Sequence, residues 1–286
     1  MTLETLLQPF VYGLQTGLTY IIAALGLTLI FSIMNILNLA HGEFYMLGAF
    51  STLYFAGLWH INYILALFIS MVVVGLIGVF SERLFFRPAH GEIVPTVIVA
   101  IGLMWILQTS AQLLFGREPR GMAEVFHGSV TFLNVNISES RVIAGLISIA
   151  LVIGVYFFVY RTKQGRAMQA IAQDREAAAL QGVDINRVGA LGFGLGCVLA
   201  AAAGGIMAPI FFIEATMGSS VLIKSLCIII LGGVGSIPGA AIGGLILGVV
   251  ESYGLTFLGY PATTFPFVIM ILVLLVKRTG LMGRMA

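Results

Sequence analysis

Long apolar runs separated by short polar breaks set the rhythm of this chain. Apolar segments fall at about 11–34, 43–59, 63–81, 94–115, 142–160, 188–213, 219–234, 238–258 and 260–276. A helix needs about 20 predominantly apolar residues to cross a bilayer, and lipid leaves backbone groups no partner outside a helix or closed barrel. The runs therefore predict membrane-spanning helices. Segments 43–59 and 219–234 are short and predict broken or partly re-entrant helices, so the span count lies between eight and ten, with nine the best fit. One polar break is long. Thr162–Val183 carries Lys163, Arg166 and Arg175 against Asp174 and Glu176, with Ala167, Ile171, Ala178 and Leu180 at roughly helical spacing. That pattern predicts a short amphipathic helix between two spans, with a face to present to a partner.

Composition agrees with the pattern. The 286 residues are 59% hydrophobic and 9% charged, with mean hydropathy +1.07, whereas an ordinary soluble domain carries about 25% charge. The fold class is all-α polytopic membrane protein, read as one transmembrane domain over 1–286. Its 35 glycines suit helices that pack through small residues. Cys197 and Cys227 both lie in apolar runs and read as small hydrophobes rather than a disulfide. Residues 1–10 hold no Lys or Arg and the first apolar run is too long for a signal-peptide core, so the first span is expected to target the chain itself.

Charge placement predicts orientation. With nine spans and the N-terminus outside, the inner segments hold Arg83, Arg87, Arg161, Lys163, Arg166, Arg175, Arg187, Lys277, Arg278 and Arg284, ten of the 14 Lys and Arg. The outer segments hold Arg117, Arg120 and Arg141, and Lys224 lies within a span. The positive-inside bias then gives N-out and C-in, with loop 162–187 in the cytoplasm and loop 116–141 outside. Nine spans also place the first four and the last four in opposite directions, as inverted-topology repeats require. A faint internal echo fits: Gly75-Leu-Ile is followed by Glu82, and Gly244-Leu-Ile by Glu251, at the same separation. The outer segment, with the β-like run Val130-Thr-Phe-Leu-Asn-Val, is either a solvated connector or a docking surface for a soluble partner.

Some chemistry is absent from the sequence. No GxxxxGK[ST] loop, HExxH, CxxC or GxSxG occurs, and His41, His60, His90 and His127 are scattered. Uphill transport by this chain needs an ion gradient or another subunit. No nucleic-acid partner and no bound metal or cofactor is indicated. The ionisable groups at membrane depth are few: Glu43, Lys224 and Glu251. Each costs about 2.5–3.5 kcal/mol at the bilayer centre on insertion scales, so each is an interfacial residue, a structural partner to another helix or part of an ion path, and a proton relay needs more carboxylates along one path. The polar run Asn35, Asn38, His41, Glu43 and Tyr45 either lines a watery cavity at a span break or forms a simple turn; helical spacing would place Asn38, His41 and Tyr45 on one face. A second break, Leu231-Gly-Gly-Val-Gly-Ser-Ile-Pro-Gly, places Gly235, Gly239 and Gly243 at helical spacing for close packing, with Pro238 favouring a kink or break. Paired breaks in two halves point to a translocation path, here Asn38, His41, Glu43, Gly232, Gly233, Gly235 and Pro238.

The run Asn38-Leu-Ala-His41-Gly42-Glu43-Phe44-Tyr45-Met46-Leu47-Gly48-Ala49 resembles the N-terminal motif of the branched-chain amino acid ABC importer permeases, first permease type. So do Leu231-Gly-Gly-Val-Gly-Ser-Ile-Pro-Gly-Ala and the Gly165-Arg166-Ala167…Ala179…Gly182 loop. The resemblance spans nearly the whole chain. It implies a bacterial inner-membrane importer subunit in a heterodimer with a paralogous second permease. A periplasmic binding protein would deliver leucine, isoleucine or valine, and two cytoplasmic ATPases would use the ATP; this chain itself would bind no cofactor and be no enzyme. The loop helix would then couple to the ATPase through Gly165, Arg166, Ala167, Glu176, Ala177, Ala178 and Gly182. Glu176-Ala-Ala followed by Gly182 matches the start of the importer loop consensus, while its hydrophobic-Pro ending is missing here. A surface helix on anionic lipid is the bland alternative for that loop. Permeases for urea or short-chain amides are very similar, and a stand-alone ion-coupled amino acid carrier or a facilitator are the rivals from other classes.

Overall fold

The computed structural model describes residues 3–35, 37–89, 92–123, 125–132, 135–259, 264–277 and 279–282. His90, Leu133, Asn134, Arg278 and Arg284, which figure in the sequence expectations, lie outside them. In chain order the elements begin with α1 (Leu3–Met34), α2 (His41–Leu53), α3 (Tyr63–Ser81) and α4 (Ile93–Phe115). The hairpin β1 (Ser129–Phe132) and β2 (Val135–Ser138) follows, then α5 (Glu139–Arg161), α6 (Lys163–Gln173) and α7 (Arg175–Leu180). The chain closes with α8 (Ile185–Met207), α9 (Met217–Gly232), α10 (Ile237–Leu258) and α11 (Phe265–Val276). Among the described residues, the helices containing α1, α3, α4, α5, α8 and α10 are long and apolar enough to cross a membrane, and α9 and α11 are shorter apolar helices. The chain is an all-α polytopic membrane protein.

Several boundaries differ from the sequence reading. The first helix begins at Leu3 rather than near residue 11 and carries Pro9 inside it. Helix α8 stops at Met207 rather than near 213, because Pro209 has no N–H to continue the ladder. The loop that follows is pinned instead by reciprocal backbone bonds between Ile213 and Arg120, at 2.8 and 2.9 Å. Both α2 and α3 run on into a single π-helical turn, Tyr54–Leu58 and Glu82–Phe86. The outer segment contains a two-stranded antiparallel hairpin in which Ser129 pairs with Ser138 and Val130 with Ile137. The polar loop is two short helices, not one, for a reason given below.

Helices α1 and α8 form the centre, while α4 and α5 expose apolar side chains such as Ile93, Leu113, Leu114 and Ile149 along most of their length. Lipid tails are as apolar as leucine, so helices here associate by close packing rather than by escape from water. Gly26 and Gly196 show how close the two central helices come. A Cβ on either would sit 2.6–2.7 Å from the other's carbonyl oxygen.

The other contacts follow a pattern. Helix α3 packs on α8 and α10 on α1; α2 packs on α3 and α9 on α10; and the pairs α1–α8 and α2–α9 touch each other. Exchanging α1 with α8, α2 with α9 and α3 with α10 leaves this set of contacts unchanged. The sequence echo falls on equivalent places within it. Gly75 faces Gly194 of α8 and Gly244 faces Gly17 of α1, with Cβ-to-carbonyl approaches of 3.7 and 3.3 Å. Glu82 and Glu251 are both buried and both ion-paired, to Arg87 at 3.1 Å and Lys224 at 2.6 Å.

Candidate functional site

The site is built around the start of α2. Helix α1 ends at Asn35, a residue type that tolerates the left-handed conformation it adopts (φ 52°). The chain then leaves helical geometry, and α2 begins only at His41. His41 lies far back along α1: its Nε2 is 3.0 Å from the Ala23 carbonyl, and its ring abuts Gly26. Ala23 is about 16 Å from Met34 along the helix axis at ~1.5 Å per residue. His41 thus lies well back along α1 from the Met34 end, and α2 is a half-length helix of 13 residues starting partway along it.

Asn38 is not on the helix, contrary to the spacing argument. It precedes α2, where its Oδ1 accepts the Ala40 N–H at 3.0 Å and its carbonyl accepts from His41 N. Asn38, His41 and Glu43 are all buried, and Asn38 Nδ2, His41 Nδ1 and Glu43 Oε2 have no hydrogen-bond partner among the described residues. Glu43 points at the start of α9, since its carboxyl carbon lies 2.9 Å from where a Gly218 Cβ would be. Gly42 and Gly218 touch through their backbones, so the first turns of two short helices, α2 and α9, meet here.

The other two membrane-depth ionisables, Lys224 and Glu251, serve as partners between helices. Lys224 Nζ donates to Glu251 Oε1 at 2.6 Å and to the Tyr20 hydroxyl at 2.7 Å, joining α9, α10 and α1. A structural role between helices, one of the readings of these charges, is what both perform; which residues pair, and the part of Tyr20, were not legible because contacts between residues so far apart are set by tertiary packing. Nor did the sequence single out the outer arginine's role. Arg141 lies 4.3 Å above the Tyr12 ring and donates to Gln15 Oε1 at 3.1 Å, tying the start of α5 to α1.

The second glycine break is a turn between α9 and α10. Gly232 closes α9, Gly233 and Gly235 have φ of 100° and 80°, and Ser236 caps α10 by accepting the Gly239 N–H at 3.1 Å. Pro238 lies in the first turn of α10, where its missing N–H costs nothing, so it starts a helix rather than kinking one. Gly235 is outside the helix, so the small-residue face consists of Gly239 and Gly243 without it; Gly239 packs backbone to backbone on Gly232. The last carbonyls of α9 are satisfied by the chain's C-terminal segment. Leu281 N donates to Leu231 O and Met282 N to Gly232 O, at 2.8 and 2.9 Å.

The polar loop breaks at Asp174. That residue ends α6 in extended geometry (φ −153°, ψ 110°), and its Oδ1 accepts from Glu176 N and Ala177 N at 2.9 Å, starting α7. Gly165 is buried against the end of α5 and Met168 and Ile171 seat α6 on the bundle, with Ala167 half-buried and Arg166 exposed. On α7, Ala178 is buried while Glu176, Ala177 and Leu180 are exposed, Leu180 at 87%. Gly182 ends the unit at φ 82°, its N–H bonded to Ala179 O at 2.9 Å.

These groups do not form one site. A half-open recess of about 1040 Å³ lies between the end of α1 (Phe31–Asn35), the start of α4, Arg175 and the Val234–Gly235 turn. A neighbouring space of about 590 Å³ shares Ser32, Ala172 and Gly235 with it and includes Pro238. The glycine turn and the α6–α7 loop therefore face common space. Asn38, His41 and Glu43 line neither cavity and sit instead at the α2–α9 junction.

Comparison with known proteins places this arrangement. A permease protein of the high-affinity branched-chain amino acid transport system of Pseudomonas aeruginosa, BraD, is 33% identical over 97% of this chain and 96% of its own. LivH of Escherichia coli K12, a permease of the system of the same name, is 31% identical over the same shares. FrcC of Rhizobium meliloti, a fructose import permease protein, is 29% identical over 58% of this chain and 49% of its own. In three dimensions the chain is similar in fold to PsaBC from Streptococcus pneumoniae in complex with Fab, with TM-score 0.53 and 10% identity over 95% of this chain and 91% of that one. The family model for the permease component of the branched-chain amino acid transport system matches residues 10–277, and the chain belongs to that family.

Proposed function

We propose that this chain is the membrane-spanning subunit of a bacterial inner-membrane ABC importer for branched-chain amino acids. The observation that carries the reading is end-to-end identity of 31–33% with permeases of that named system. The chain supplies a path and its conformational change. Separate ATPases supply the energy, a periplasmic binding protein supplies the cargo, and a paralogous second permease completes the path; no ATP or other cofactor is bound by this chain. The positive-inside bias supports placing α6 and α7 in the cytoplasm and the β1–β2 hairpin outside. Helix α7 then meets the ATPase, with Leu180 as an apolar contact at its exposed end and Gly165, Arg166, Ala167, Glu176, Ala177, Ala178 and Gly182 forming the coupling unit. The Val234–Gly235 turn faces the same recess as Ala172 and Arg175, so a push on α6–α7 reaches the start of α10 directly. The junction of α2 and α9, with Asn38, His41 and Glu43, borders the path.

The fructose permease relative makes cargo the part to test first, because similar chains serve different named substrates. The experiment is ATP hydrolysis by the reconstituted complex in the presence of its binding protein. Leucine, isoleucine or valine should stimulate it several-fold. Stimulation by urea, short-chain amides or fructose, with none by the three amino acids, would refute the assignment.

A further inference from the structure

A helix leaves its last carbonyls without partners inside itself, so other groups must supply the N–H donors. The two short helices meet that need differently. Helix α2 runs into its own π-helical turn, and the residues directly after it donate: Trp59 N to Tyr54 O and Ile61 N to Phe55 O, at 3.2 and 3.1 Å. Helix α9 ends at Gly232, and its Leu231 and Gly232 carbonyls take the N–H groups of Leu281 and Met282 instead. Those donors lie beyond α10 and α11, so they can leave without moving the chain neighbours of α9.

The segment is shaped for its place. Gly280 has φ 76° and lies so close to the end of α9 that a Cβ would stand 2.6 Å from Ile230 O and 2.7 Å from Gly233 N. Lys277 Nζ donates to Leu281 O at 2.7 Å and Gly280 N to Lys277 O at 2.9 Å, which folds the segment into a hook. Met282 lines the space of about 590 Å³ that Met168 and Gln169 of α6 also line, with Ser236 and Pro238 at the start of α10. The hook thus stands between the α9–α10 turn and the loop assigned to ATPase coupling. The opposite end of α9, about 24 Å away at ~1.5 Å per residue, is the turn where Gly218 meets Gly42 and Glu43.

We propose that Gly280–Met282 is a releasable latch on the last turn of α9. Seated, it fixes that end of the helix and helps to keep the α2–α9 junction shut. Unseated, it frees α9 to tilt and part from α2. Movement of α6 into the space it shares with Met282 is the event that unseats it. The latch rests on the importer reading above for its driving force, though not for its geometry.

The test compares wild type with Leu281→Pro, which removes the N–H that Leu231 O accepts. The purified complex of permeases and ATPases, without nucleotide or binding protein, is treated with a water-soluble carbodiimide and glycine ethyl ester. Labelling of single carboxyl groups is then read by mass spectrometry. Glu43 is buried at the α2–α9 junction and Glu82 is buried in the turn after α3, away from it. Leu281→Pro should label Glu43 at least tenfold faster and leave Glu82 as in wild type. Unchanged labelling of Glu43 overturns the latch. So does a joint rise at Glu43 and Glu82, which marks general loosening. If Leu281→Pro fails to assemble, Lys277→Met decides: it removes the bond to Leu281 O, keeps both bonds to α9, and should speed Glu43 labelling at least threefold. Stimulation of ATP hydrolysis by loaded binding protein is measured on wild type in parallel. Its absence strikes the importer reading and leaves the Glu43 result to be read on its own.

Discussion

Single residues carry most of what a change in sequence would reveal. Lys224 and Glu251 share a buried contact, and removing one partner strands the other's charge. Breaking a buried pair from one side costs about 3–5 kcal/mol, whereas replacing both partners with apolar residues is often close to neutral. Lys224→Met should therefore lower the thermal midpoint of the detergent-purified complex markedly, and Lys224→Met with Glu251→Leu should recover most of the loss. A double variant no more stable than the single one would contradict the pairing. Gly182 is held at φ 82°, where a side chain is strained. Gly182→Ala should cost about 1–2 kcal/mol locally, and its main readout is coupling: ATP hydrolysis by the complex should persist while uptake falls, with membrane insertion unchanged. Glu176 variants should behave alike, and normal coupled uptake in both would remove the loop from the coupling route.

At the scale of elements, the apolar segments were legible because lipid imposes one requirement, continuous hydrophobic length, on every span. The ends of those segments were less legible, because each is decided by a local feature. Pro209 stops α8 early, and Asp174 divides the polar loop by capping a new helix from within it. The break before α2 was visible as a polar run in apolar surroundings, but its depth was not: that depth depends on His41 meeting Ala23, a tertiary contact. For the same reason Glu43 could be flagged while its neighbour Gly218 could not, and Tyr20 carried no signal at all. Two predictions belong here. Leu180, exposed at 87% on α7, should be needed for docking, so Leu180→Asp should abolish co-purification of the ATPases while leaving the folded permease intact. Cysteines placed at Asn38 and His41 are buried in this conformation and should react with a membrane-impermeant maleimide only when ATP and loaded binding protein drive turnover. Failure to react under turnover would place them away from the path.

The whole molecule combines a closely packed centre with one junction, between α2 and α9, that holds buried polar atoms. Close glycine contacts pack α1 against α8, α10 against α1, α3 against α8 and α2 against α8, the last through Gly48 on Ala201 and Gly204 on Tyr45, and these leave little freedom for sliding. The short helices α2 and α9 also meet backbone to backbone at their first turns, beside buried polar atoms with no hydrogen-bond partner among the described residues. The contact pattern survives exchange of α1–α3 with α8–α10, as the repeats expected from the sequence require, and the α2–α9 junction lies on the line that this exchange maps onto itself. Sequence hinted at that pattern only through Gly75 and Gly244, because helix packing keeps small residues at contacts and little else. The proposed function makes this chain a gate that separate ATPases drive. The direct measurement is concentrative uptake of tritiated leucine into proteoliposomes, comparing this chain alone, under imposed proton or sodium gradients, with the assembly of both permeases, ATPases and binding protein. Accumulation should appear only in the full assembly with ATP; accumulation by the lone chain on an ion gradient would contradict the account.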